Sequence, residues 1–76
     1  MITVKLYGLL RLDSGIKTLD ADAKNTRELL AVLERQGLDA KLLRGCHILV
    51  NGELTSRHVS LRDGDTVQLF PPVAGG

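Results

Sequence analysis

The apolar residues change their spacing along the chain, and that change decides what it can fold into. Ile2, Val4 and Leu6 alternate with Thr3, Lys5 and Tyr7, which is the two-residue period of a half-buried strand. From Thr26 to Gln36 the spacing differs: Leu29, Leu30 and Leu33 stand at i, i+1 and i+4, one stripe of an amphipathic helix. Alternation then returns, with Cys46, Ile48 and Val50 on one parity and Val67 and Leu69 on another. Seventy-six residues make one small domain, so the helix and the strands must share one core. With 3% aromatic residues and no tryptophan, Leu, Val and Ile must build it.

Turn residues separate these segments. Asp13-Ser14-Gly15 supplies a turn and Ile16 to Asp20 a second short strand, so the first two strands read as a hairpin. Asn25 with Glu28 three residues later has the form of a helix N-cap pair, with Thr26 as the alternative cap. Gly37 stands where a left-handed residue closes a helix, and Leu38 is placed for the accompanying hydrophobic contact. Asn51-Gly52 is a strong two-residue hairpin signal and turns the third strand into a short fourth around Glu53-Leu54-Thr55. Asp63-Gly64-Asp65 is another turn and launches Thr66 to Phe70 as the last strand, which Pro71 ends because it has no N–H to donate to a ladder. The expected order is strand, strand, helix, strand, short strand, strand. This is an α+β chain with a mixed sheet on one main helix, the arrangement of a ubiquitin-like β-grasp. Residues 1–70 form the domain and residues 71–76 a tail.

Charge and cysteine content narrow the function classes. Ten basic against nine acidic residues leave a net charge of +1, which gives no field to gather nucleic acid or an anionic membrane. The alternating N-terminal segment reads as a strand and not a signal peptide, and no stretch approaches the roughly 20 apolar residues of a membrane span. Cys46 is the lone cysteine, which precludes an intramolecular disulfide and fits a reducing cytoplasm.

The sequence closes on Phe70-Pro71-Pro72-Val73-Ala74-Gly75-Gly76, and from Thr66 onward no side chain is charged. A frayed solubilising end is normally polar, so this tail has the composition of a functional element rather than a loose one. Two terminal glycines have no Cβ and pass through a channel too narrow for any side chain. Pro71 and Pro72 fix their own φ and push the residues before them towards extended geometry, which sets the direction of departure. Six extended residues span at most about 20 Å, enough to enter a partner's active site. The expectation is an arm that packs against nothing in the free protein and offers the Gly76 carboxylate.

The block from Leu61 to Gly76, with Asp63-Gly64-Asp65, Phe70-Pro71-Pro72 and Gly75-Gly76, resembles the MoaD-like members of the MoaD/ThiS ubiquitin-like sulfur carriers, the small subunits of molybdopterin synthase. Val50-Asn51-Gly52 resembles the third-strand turn of the same family. The resemblance implies that Gly76 is adenylated and converted to a thiocarboxylate. The sulfur donor would be a cysteine desulfurase or rhodanese, and the activating enzyme of the ThiF type. ATP and Mg²⁺ would belong to that enzyme, with no cofactor or metal on this chain. The large synthase subunit would receive the arm, with Phe70, Pro71, Pro72, Val73, Ala74 and Gly75 as the partner-binding segment. Related carriers for thiazole formation or tRNA thiolation, and ubiquitin-like protein modifiers, share most of these signatures. A β-grasp interaction module whose tail is never activated is the reading from a different class.

Chemistry elsewhere in the chain is sparse. It contains no phosphate-binding Gly-x-x-x-x-Gly-Lys loop, dinucleotide fingerprint or metal spacing. Cys46 has the parity of a buried small hydrophobe, and His47 and His58 read as surface histidines. Arg57, His58 and Arg62 read as solvated loop charges, and Asp63 and Asp65 are explained by their turn. If Val67 and Leu69 point inward, Phe70 lies on the opposite face as a partner anchor or as a rim residue folded over the sheet.

Overall fold

The structure is a computed structural model and describes residues 1–55 and 58–72. Among these residues five strands form one mixed sheet: β1 (Ile2–Leu6), β2 (Thr18–Ala21), β3 (His47–Val50), β4 (Glu53–Thr55) and β5 (Thr66–Phe70). Their order across the sheet is β2-β1-β5-β3-β4, so the last strand of the chain is the middle strand of the sheet. It pairs parallel with β1, Val4 opposite Val67 and Leu6 opposite Leu69, and antiparallel with β3, Ile48 opposite Leu69. The alternation seen in the sequence is the alternation of burial: Ile2, Val4, Leu6, Ile48, Val67 and Leu69 all face inward.

Among the described residues three helices accompany the sheet: α1 (Gly8–Ser14), α2 (Thr26–Arg35) and α3 (Ala40–Gly45). The main helix α2 is the one expected, and it buries Leu29 and Leu33 in the aliphatic core with Leu30 packed at its margin. Its start is settled by geometry. Asn25 is the cap, its Oδ1 accepting a hydrogen bond from the Glu28 N–H at 2.7 Å. Thr26 is the first helical residue and fully buried, and its Oγ1 accepts from the Val59 N–H at 2.9 Å. Its own N–H donates to the Val59 carbonyl, which ties the helix start to the segment leading into β5. The end is a Schellman closure: Gly37 takes φ +100°, its N–H donates to the Glu34 carbonyl, and the Leu38 N–H donates back to the Leu33 carbonyl. Leu38 is buried beneath it.

The structure corrects one expectation about the connections and adds one element that the sequence pattern does not show. β1 and β2 do pair antiparallel, yet the link between them is α1 and not a simple turn. Asp13-Ser14-Gly15 is the end of that helix, with Gly15 left-handed and its N–H donating to the Arg11 carbonyl. The stretch between α2 and β3, to which the sequence pattern assigns no element, contains α3, capped by Asp39, whose Oδ1 accepts from the Lys41 and Leu42 N–H groups. Each short helix buries one residue, Leu10 in α1 and Leu43 in α3, too few to leave a periodic stripe in the sequence.

The hairpin between β3 and β4 turns at Asn51 (φ +51°) and Gly52 (φ +85°), both left-handed as the two-residue turn requires. Asn51 also ties this turn to the start of β5. Its Oδ1 accepts from the Thr66 N–H and its Nδ2 donates to Asp65. Asp65 also accepts from the Arg62 N–H, and these bonds, with the nearby Arg62 charge, hold its carboxyl below the usual aspartate range.

Candidate functional site

The middle position of β5 determines where the chain's closing segment starts. After Phe70 the backbone leaves the sheet between the C-terminal end of β1, which runs parallel to it, and the N-terminal end of β3, which runs antiparallel. Those two strand ends are also where α1 begins and α3 stops, at Gly8 and Gly45. Pro71 therefore sits over Gly8, and Pro72 over Gly45. A Cβ placed on Gly8 would lie 3.1 Å from Cγ of Pro71, and one on Gly45 would lie 3.2 and 3.3 Å from Cγ and Cδ of Pro72. The expectation of an arm free of contacts thus fails at its root, where both prolines rest on bare backbone. Val73, Ala74, Gly75 and Gly76 lie outside the described residues, as does Arg57.

Phe70 is on the outward face and half-buried, because its ring stacks on Tyr7 with centroids 4.3 Å apart and planes 9° from parallel. The parallel register produces this pairing: Leu6 is opposite Leu69, so the next residues, Tyr7 and Phe70, project together. Gln68, one pleat back, donates from Nε2 to the Tyr7 hydroxyl at 2.9 Å and fixes the far end of the tyrosine. Leu49 lies opposite Gln68 and opposite Leu54, whose side chain is 70% exposed. Leu54 and Leu49 thus share the outward face with the aromatic pair at the root of the tail, with Gln68 standing between Leu49 and Tyr7. Sequence reasoning found Phe70 but missed Tyr7, Gly8 and Gly45. Tyr7 shares the outward parity of Lys5, but only the strand order brings it to Phe70.

The remaining candidates are dispersed. Cys46 is buried, its Sγ donating to the Leu43 carbonyl at 2.9 Å, the environment of a packed small hydrophobe. His47 is exposed on β3, whereas His58 lines a concavity of about 480 Å³ between α2 and α3 with Leu30, Leu43 and Arg44. No group of three or more His, Cys, Asp or Glu side chains among the described residues is placed to hold a metal ion. Asp63 pairs with the N-terminal ammonium, so it and Asp65 serve their turn. Among the described residues no helix is long and apolar enough to cross a membrane.

A five-stranded mixed sheet carrying one main helix, with the tail leaving from its middle strand, defines a ubiquitin-like β-grasp protein. Residues 4–76 match the ThiS family, and the chain belongs to it. It is therefore one of the ubiquitin-like sulfur carriers, a family to which its structural relatives also point. In the protein-protein complex of subunits 1 and 2 of molybdopterin-converting factor from Helicobacter pylori, a chain 29% identical superposes with a TM-score of 0.75 over 99% of this chain and 97% of that one. In the Amycolatopsis orientalis BexX/CysO complex the values are 28% identity and TM-score 0.80, with all of both chains covered. The H. volcanii small archaeal modifier protein 1 is 25% identical, with TM-score 0.78 over 95% of this chain and 97% of that one. Comparison with curated proteins returns no match.

Proposed function

We propose that this carrier works through the carboxylate of Gly76, as the small subunit of a molybdopterin synthase. The observation that carries the reading is the family match running to Gly76 on a fold whose middle strand delivers that segment to the rim of the sheet. A carboxylate is a poor electrophile, since its charge is delocalised and oxide leaves badly. Attack of Gly76 on the α-phosphorus of ATP expels pyrophosphate and makes an acyl adenylate. Hydrosulfide then adds at the carbonyl and AMP departs, leaving a thiocarboxylate. With a persulfide donor, the acyl disulfide first formed is cleaved by a thiol reductant. The nucleotide and Mg²⁺ are held by a separate activating enzyme, and the sulfur comes from a desulfurase or rhodanese.

This chain's own part is presentation. Gly75 and Gly76 add no side-chain width, Pro71 and Pro72 aim the segment, and the Tyr7–Phe70 pair offers an aromatic anchor beside it. The similarity to the molybdopterin-converting factor complex supports the synthase assignment, with the large subunit as acceptor of the arm. A second reading is favoured by the comparable similarity to CysO and to an archaeal modifier protein, which supports a carrier for another sulfur acceptor or a conjugated modifier.

Intact mass spectrometry after incubation with ATP, an activating enzyme and a sulfur source tests the chemistry. Exchange of one oxygen for sulfur at Gly76 is the expected result, and an unchanged mass under competent conditions leaves an interaction module. Affinity capture with the full chain then separates the acceptors, since a large synthase subunit, a thiazole synthase and a tRNA thiolase each define a pathway.

A further inference from the structure

We propose that Gly8 and Gly45 are positioning residues, a two-glycine cradle that seats Pro71 and Pro72 and sets the line on which the chain leaves the domain towards Gly76. The inference rests on the carrier reading for its functional consequence and on the packing for its geometry.

The two glycines have different reasons to be glycine. Gly8 takes φ +55°, a conformation that disfavours any side chain, so its backbone alone accounts for it. Gly45 has no positive φ to explain it. It is the last residue of α3, in a backbone conformation that alanine adopts without strain. The missing side chain therefore has a packing cause, and the neighbour it would strike is Pro72, through two ring carbons at 3.2 and 3.3 Å. A Cβ on Gly8 would likewise lie 3.1 Å from Cγ of Pro71, so the two rings rest on two separate helix ends. One contact would leave the segment free to pivot, and two define a direction. Because both prolines have a fixed φ, a shift at either ring is carried into the residues that follow. Displacements of about 1 Å remote from a reacting group cost up to about 10²-fold in rate.

The test is a double-mutant cycle between Gly45 and Pro72, read as kcat/KM for thiocarboxylate formation with activating enzyme, ATP and sulfide. Gly45→Val pushes on the Pro72 ring and should lower kcat/KM by about tenfold or more, with an unchanged melting temperature. In the Pro72→Ala background the valine occupies room that the ring has vacated, and the same substitution should cost little. An equal loss in both backgrounds overturns the cradle, because Gly45 would then act by some route other than Pro72. So does wild-type behaviour of Gly45→Val when the wild-type chain loads normally. A wild-type chain that does not load counts against the carrier reading instead. The geometry is then judged by nuclear Overhauser contacts between the Gly45 α-protons and the Pro72 ring, which the cradle requires and whose absence refutes it.

Discussion

The two faces of β5 are made from one strand and serve opposite ends. Val67 and Leu69 point inward with no exposed surface, enclosed by Val4, Leu6, Ile48 and Leu33 in a core built from aliphatic side chains. Gln68 and Phe70 point outward, half-buried, and their partners are one tyrosine and its hydroxyl. The inward face is interchangeable in kind, because any well-packed aliphatic set supplies the burial on which a domain this small depends. The outward face depends on particular residues in register, and it leads directly to the prolines over Gly8 and Gly45. On the proposed function, stability and delivery are thereby separated by one residue's alternation, so each should be removable without the other.

The largest separation is expected at the terminus. Deletion of Gly76 should abolish sulfur loading, seen as no mass gain, while the melting temperature stays at the wild-type value. The converse variant is Leu33→Ala, which removes a fully buried side chain and should cost about 2–5 kcal/mol in chemical denaturation. Loading by the fraction still folded should remain normal. Thr26→Val keeps the volume but strands the Val59 N–H, and a loss of about 1–3 kcal/mol is expected by the same measurement. Phe70→Ala breaks the comparison at its boundary. Partner affinity measured by calorimetry should fall by about 1–2 kcal/mol, and unchanged binding would make the aromatic pair a rim feature only.

The smallest effect concerns pH. The Asp65 carboxyl is held below its ordinary value in the folded chain, so its contribution to stability is present above about pH 4 and fades as pH falls through the lower folded value. Asp65→Asn should flatten the acid limb of a stability-against-pH curve and leave its neutral region little changed.

What the sequence disclosed follows from how many residues each feature involves. Strands β1, β3 and β5 and helix α2 are written in repeated spacings, and the turns in Asn51-Gly52, Gly37 and Asp63-Gly64-Asp65, because local backbone geometry requires those residues. Helices α1 and α3 are capped and short, each inserting a single leucine, so no period announces them. The choice between Asn25 and Thr26 as cap needed the position of Val59, thirty-three residues along. The tail root was hidden for the same reason. Tyr7 meets Phe70, and Gly45 meets Pro72, only once the last strand is placed between the first and third. Phe70 itself was legible because alternation within one strand assigns its face.

The central claim is that the protein works through its final carbonyl while the domain behind it presents that group. Intact mass spectrometry of the chain incubated with ATP, a partner activating enzyme and sulfide measures this most directly. The account predicts replacement of one oxygen by sulfur in a fragment ending at Gly76. Sulfur found elsewhere in the chain, or no gain while a related carrier loads under the same conditions, would contradict it.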